Sequence, residues 1–391
     1  MKAREIKQGI HWVGALDWER RLFDELIPLP DGTTYNAYIV RGQEKTALID
    51  TVDPPKTAEL FARLDNLGVK SVDYIITHHA EQDHAGSLPA VLTRFSEAKV
   101  VCTPKCATMI GDLLGVPSER IITVGHKQTL PLGGRTLEFL HAPWVHWPET
   151  MLTYLKEDRL LFSCDLFGAH LAASDLYVTE TARAYEAAKR YYGEIMMPFR
   201  SHIEKHLAML VDYKIDFIAP SHGPLHKEPK FILDAYRDWV LGPPKNLVAL
   251  PYVSMHGSTK AMVDYFADIL AEKGVTVEKM SLSVTDIGRV AMSLVDAATL
   301  VLATPTVHAG PHPLAVYATY LANALRPKLK YAAIIGSYGW GGRTKEIILE
   351  MVPNLKAEVL GAVIAKGYPA EADYQALDGL AADIAKKHRA L

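Results

Sequence analysis

Cysteine is scarce in this chain: three residues, Cys102, Cys106 and Cys164. That is too few for a disulfide framework and one short of a four-thiolate iron or zinc centre. Any bound metal must therefore rest on histidine and carboxylate. The "CTPKC" stretch has the wrong spacing for a CxxC motif and reads as two small apolar residues at a strand end and a helix start. Charge of one sign is also missing. The net charge of −3, from 42 basic and 45 acidic residues, supplies no basic face for nucleic acid or anionic lipid. No segment approaches the ~18 apolar residues of a membrane span. The start "MKAREIKQGIHWVG" lacks an unbroken apolar core of the signal-peptide kind, so a cytoplasmic location is expected. There is no Walker lysine motif, no GxGxxG and no internal repeat.

What is present is histidine, sixteen of them, in a chain of 391 residues that is long enough for two domains. The clearest punctuation is "LGPPKN" at 241–246, which predicts a boundary between domains of residues 1–245 and 246–391. The first part reads as strands in quick succession: "TYNAYIV", "KTALIDT", "VDYIITH", "KVVCT", "RIITV", "TLEFLHA" and the hairpin "MLTYLKEDRLLFSCD". Helical patterns flank them, with a longer one from about Thr181 to Leu210. This is α+β and predicts a β-sandwich faced by helices, αββα. The second part alternates five strands with five helices, the pattern of a doubly wound α/β sheet.

The stretch "ITHHAEQDHAG", residues 76–86, follows the apolar run "VDYII" and crowds His79, Glu81, Asp83 and His84 together. Alternate residues after a strand project to one side, so His79, Glu81 and Asp83 can converge, with His84 on the adjoining turn. His146, Asp165 and His222 each follow a later apolar run. A single His or Asp at a strand end is ordinarily a turn or cap residue. Seven of them predict instead a pair of metal ions about 3.5–4 Å apart, with Asp165 as the bridge. "HIEKH" places His202 and His206 at helical spacing on what reads as a solvated face. His226 lies past a proline and is the weaker candidate beside His222. Glu81 in place of a histidine substitutes a hard oxygen for a borderline nitrogen, which tilts the site from zinc toward non-haem iron.

A second group of loops also follows strands. "YVSMHGSTKAMV" offers the Ser254, Ser258 and Thr259 hydroxyls, a tight turn at Gly257 and a free helix start, beside Met255 and His256. Without a Walker lysine this nest suits a mononucleotide. "ATPTVHAGPHP" adds Pro305, Thr306, Val307 and His308. "GSYGWGG" adds Ser337, Tyr338, Gly339, Trp340 and Gly341, whose two aromatic rings could stack on an isoalloxazine.

The H-x-[H/E]-x-D-H pattern with distant His, Asp and His resembles the metallo-β-lactamase superfamily, and the second set of loops resembles flavodoxin and its FMN site. Together with "HWVGALDWERRLFDELIPLPDGTTYNAYIV", "HWPETMLTY", "CDLFG", "RYYGEIMMPF" and "APSHG", the whole chain resembles the flavodiiron proteins, or A-type flavoproteins. The resemblance implies FMN and two non-haem Fe ions, one held by His79, Glu81 and His146, the other by Asp83, His84 and His222, with Asp165 bridging. In some members the residue matching His84 is displaced from the metal. Tyr192 and His170 match segments near the site. The implied reaction is reduction of dioxygen to water, of nitric oxide to nitrous oxide, or both. The implied assembly is a head-to-tail homodimer, or a dimer of dimers, fed by a separate donor such as a rubredoxin or a reduced deazaflavin coenzyme. The rival expectations are a zinc-dependent hydrolase with a flavodoxin module, and a flavodoxin-type electron carrier whose first domain is inactive.

Overall fold

The computed structural model describes residues 1–391. The chain forms two compact units, Met1–Tyr191 with Phe199–Val240, and Tyr192–Pro198 with Leu241–Leu391. The second unit thus begins inside "LGPPKN" but also takes in a short segment from far upstream.

In the first unit, strands that are apolar on both faces build a seven-stranded and a five-stranded sheet. Alternation along each strand sorts its side chains between two layers. Tyr38, Val40, Ala47, Ile49, Ile76 and Val101 of the larger sheet pack with Leu137, Phe139, Met151, Leu155 and Phe162 of the smaller one. Their neighbours Ile39, Leu48, Ile75 and Val100 turn outward and meet Leu60, Leu64, Leu88, Val91 and Ile110. Those partners lie on the helices Thr57–Asn66, Leu88–Arg94 and Pro104–Leu114. The last strands of the larger sheet, Tyr74–Ile76, Lys99–Cys102 and Ile121–Thr123, run parallel. In the smaller sheet Leu160–Cys164 and Phe217–Pro220 run parallel too. Loops leaving the C-terminal ends of Tyr74–Ile76, Leu160–Cys164 and Phe217–Pro220 carry His79, Asp165 and His222.

Three expectations are corrected. "TYNAYIV" is not one strand: Thr33–Tyr35 pairs with Ala15–Asp17, and Tyr38–Arg41 joins the seven-stranded sheet. The intervening Asn36 gives its backbone N–H to Ser221 O instead of to a ladder partner. The long helix from Thr181 breaks after Tyr191 into wide turns at Tyr192–Met196 and a tight one at Met197–Phe199, and Arg200–Leu210 starts afresh. Gly193 lets the backbone approach the Ala291 carbonyl, 3.0 Å from where a Cβ would stand, and Pro198 has no N–H to offer a helix. His206 is buried rather than solvated. It shares a face with Ile203, Leu207 and Leu210, and its Nε2 lies 2.9 Å from Pro143 O.

In the second unit the strands Thr276–Ser281, Lys245–Tyr252, Ala297–Val307, Tyr331–Tyr338 and Glu358–Lys366 lie side by side in that order, all parallel. The first strand in the chain is therefore second in space, and the order reverses beside it, the switch point where such sheets open a ligand crevice. A two-residue strand, Gly310–Pro311, folds back antiparallel on Ala297–Val307. One face is covered by Ser258–Glu272 and Glu371–His388, whose Met262, Phe266, Leu377, Leu380 and Ile384 pack on Val248, Leu250, Val301, Ile335 and Val363.

Candidate metal centre and flavin cleft

Every candidate ligand of the first unit arrives at one edge of the sandwich. His79 Nε2 lies 2.9 Å and His146 Nε2 3.1 Å from Glu81 Oε2. His84 Nε2 lies 3.4 Å from Asp83 Oδ1, and His222 Nε2 3.1 Å from Asp83 Oδ2. Asp165 stands between these groups. Its Oδ2 faces His79 and His146 at 3.7 and 3.9 Å, and its Oδ1 faces His84 and His222 at 3.1 and 3.5 Å. The donor atoms of His79, Glu81, His146 and Asp165 lie within 4.8 Å of one another, and so do those of Asp83, His84 and His222. His84 points inward with the rest. His226 belongs to neither group: it is buried, its Nε2 3.3 Å from Phe167 O.

The chemistry of these groups calls for cations. Both oxygens of Asp83 and both of Asp165 are buried without a hydrogen-bond donor. Leaving each one so costs on the order of 1–3 kcal/mol, more when charged. Burial would push the Asp165 carboxyl up, but His84, His79 and His222 outweigh it and hold it well below the carboxylate range. Burial opposes charge on His84 as well, yet Asp165 and Asp83 raise it to about 10. In the metal-free chain the imidazoles and carboxylates share protons that a pair of divalent ions would displace. A set of imidazole nitrogens and carboxylate oxygens without thiolate suits iron, and the residues present fit two such ions.

Several supporting residues lie outside the sequence-derived set. Thr34, Asn36 and Tyr38 point to one side of the chain, and all three grip the loop that carries His222. Thr34 Oγ1 accepts the Gly223 N–H at 2.6 Å, and Thr34 O lies 2.6 Å from His222 Nδ1. Asn36 Nδ2 donates to Pro220 O and Gly223 O, and Tyr38 OH donates to Pro220 O. Behind His79 stands Glu149, 2.7 Å from Nδ1. His78, next to it, points away and pairs with Asp50 and Thr153. Asp24 sits in a turn with φ 50°. Burial, then the facing Glu81, raises its carboxyl to about 6. Of these, Asp24, Thr34, Asn36, Tyr38, Glu149 and Thr153 fall inside segments that carried the family resemblance, but nothing in their spacing marked a role. His170 packs against His222 with ring centroids 4.8 Å apart and planes tilted by 58°, its Nδ1 held 2.8 Å from Thr33 Oγ1. Tyr191 packs beside these two, its ring 4.8 Å from His170 and 5.8 Å from His222, and Tyr192 lies in the segment grouped with the second unit.

In the second unit a cleft of about 200 Å³ is lined by Ser254, Met255, His256, Ser258, Thr259, Pro305, Thr306, Ser337, Tyr338 and Gly339. Gly367, which sequence reasoning missed, joins them from the loop after the last strand. Gly257, Val307, His308, Trp340 and Gly341 belong to the same loops but do not line it, and Trp340 is 81% exposed. Gly257 takes φ 94°, so the helix beginning at Ser258 presents its free N–H groups at the turn. Thr259 Oγ1 lies 2.9 Å from Ser337 Oγ, joining two of the loops.

Residues 33–223 match the "ODP family beta lactamase" model. The chain is 35% identical over 362 residues to a nitric oxide reductase of Moorella thermoacetica, covering 91% of this chain and 90% of the other. It is 34% identical over 402 residues to a coenzyme F420H2 oxidase of Methanothermobacter marburgensis, covering 98% of each. Among solved structures, rubredoxin oxygen:oxidoreductase of Desulfovibrio gigas superposes with a TM-score of 0.95 at 30% identity, covering 100% of this chain and 99% of that one. The flavodiiron protein of Giardia intestinalis gives 0.94 at 28% identity, covering 100% and 97%. This chain belongs to the flavodiiron proteins. As a member of that family it pairs a metallo-β-lactamase-like unit with a flavodoxin-like one, the architecture that the family resemblance implied. No helix of this flavodiiron chain is long and apolar enough to cross a membrane.

Proposed function

We propose that this chain reduces dioxygen to water, nitric oxide to nitrous oxide, or both, at two non-haem irons supplied with electrons through FMN. The observation that carries the reading is Asp165, which turns one oxygen to each histidine pair while Glu81 takes the place a third imidazole would hold in a zinc hydrolase. His79, Glu81 and His146 would hold one iron, Asp83, His84 and His222 the other, with Asp165 bridging. The irons, when bound, supply single electrons and the coordination positions a diatomic gas needs. The chain's own contribution is geometric and electrostatic. Glu81, Asp83 and Asp165 offset the cationic charge, and Thr34 and Glu149 hold the back nitrogens of His222 and His79.

FMN fits the second cleft because its phosphate needs a nest of N–H groups and hydroxyls, which Ser254, Ser258 and Thr259 frame at a helix start. Tyr338 borders the same cleft and offers a ring face to the flavin. A head-to-tail homodimer, a cytoplasmic location and a separate donor complete the reading. The relatives' names point to a rubredoxin or reduced coenzyme F420 as that donor.

The test is metal and flavin analysis of protein from iron-replete cells, then anaerobic stopped-flow of the reduced protein against each gas. Two irons and one FMN per chain, with fast reoxidation by either gas, are expected. Two zincs with no iron, or reoxidation no faster than free FMN, would sink it.

A further inference from the structure

The two halves of the metal centre differ behind their histidines. His222 Nδ1 rests 2.6 Å from the Thr34 carbonyl, a neutral acceptor. His79 Nδ1 rests 2.7 Å from Glu149 Oε1, an acid that is itself buried. The same Oε1 accepts the Ala80 N–H at 3.0 Å, while Oε2 is buried with no donor. Its ion-pair partner is His79. Both acceptors force the imidazole to carry its proton on Nδ1 and to present the Nε2 lone pair toward the centre. Only Glu149 adds a negative charge, and an imidazole bonded to a carboxylate is the more basic donor.

We propose that Glu149 is a positioning residue that makes the two iron positions unequal, so that the His79 position binds its ion more tightly and is the last of the two to be reduced. This rests on the diiron reading above. Each side already has one carboxylate of its own, Glu81 or Asp83, so the charge on Glu149 is the difference between them. It would stabilise the ferric over the ferrous state of an ion held there. An ion held at the His222 position, backed by a neutral carbonyl, would be the first to be reduced.

The variant Glu149→Gln isolates the charge, because an amide oxygen can still accept from both His79 Nδ1–H and Ala80 N–H. Ferrous ion is titrated into the metal-free protein. The reduction steps of the loaded protein are then followed by electron paramagnetic resonance with dithionite. Each SO2 radical anion passes one electron to iron and becomes bisulfite with water. Expected are a roughly 10- to 100-fold loss of affinity at one of the two positions, and an upward shift of the more negative step while the other stays. Unchanged affinities and potentials, or equal shifts of both steps, overturn the proposal. Wild-type protein that binds no iron pair would instead count against the function itself. Should the variant not fold, crystals of half-reduced wild type decide by site-resolved anomalous scattering at the iron edge. Ferric ion at the His79 position is expected, and ferrous ion there overturns the proposal.

Discussion

Replacing Asn36 by alanine tests how the His222 loop is held. The side chain makes three buried hydrogen bonds: it accepts from Trp12 Nε1 at 2.8 Å and donates to Pro220 O at 2.9 Å and Gly223 O at 2.8 Å. After Asn36→Ala, Pro220 O keeps the Tyr38 hydroxyl, but the indole N–H and Gly223 O lose the bonds that Asn36 provided. Each stranded group costs about 1–3 kcal/mol, so a loss of about 4 kcal/mol is expected, a large part of the ~5–15 kcal/mol that holds a typical protein folded. The assay is urea unfolding of metal-free protein followed by tryptophan fluorescence, comparing midpoints at equal slope. In the loaded protein the loosened His222 should also give up one metal ion ahead of the other. A loss below about 1 kcal/mol, with both ions retained, would refute the claim that this asparagine clamps the loop.

Asp165→Asn should abolish the iron pair, because it weakens the one carboxylate that faces both histidine groups; iron content falling to one or fewer per chain by elemental analysis is the expected result. Burial pushes His226 down to about 4 from its ordinary value. The unfolded chain therefore binds the extra proton between about pH 6.5 and 4, and stability complete above that window falls by about 3 kcal/mol across it. His226→Gln should flatten this part of the stability profile in urea titrations. Thr259→Val removes a hydroxyl from the cleft floor, and flavin affinity measured by fluorescence quenching should drop roughly tenfold or more.

Part of the centre was legible because, apart from Asp83 and His84 on the short helix Gln82–Ala85, several ligands obey one local rule: a polar residue follows an apolar run at a strand's C-terminal end. His79, Asp165 and His222 all stand so. The doubly wound second unit was legible for a related reason, since strand and helix alternate there without interruption. What escaped were residues whose duty depends on a distant segment. Asn36 sits in a run that looks like plain strand, yet its backbone and side chain both serve a loop far along the chain. Glu149 follows a proline like any turn residue, and only the fold sets it behind His79. The break after Tyr191 was hidden because residues on both sides keep helical spacing, while Gly193 answers to the packing of Ala291. His206 looked like part of a charged face because Glu204 and Lys205 precede it, but the helix turns it to the same side as Ile203 and Leu207.

The ligands of the centre leave from separate loops, and more than half of the first unit's chain lies between His79 and His222. Two bound ions would therefore act as a cross-link that closes several long loops at once. The entropy of closing them weighs on the unfolded chain rather than on the native contacts. Chelation should accordingly loosen the open rim of the sandwich first, while the sheets beneath, stitched by their own apolar layers, keep their shape.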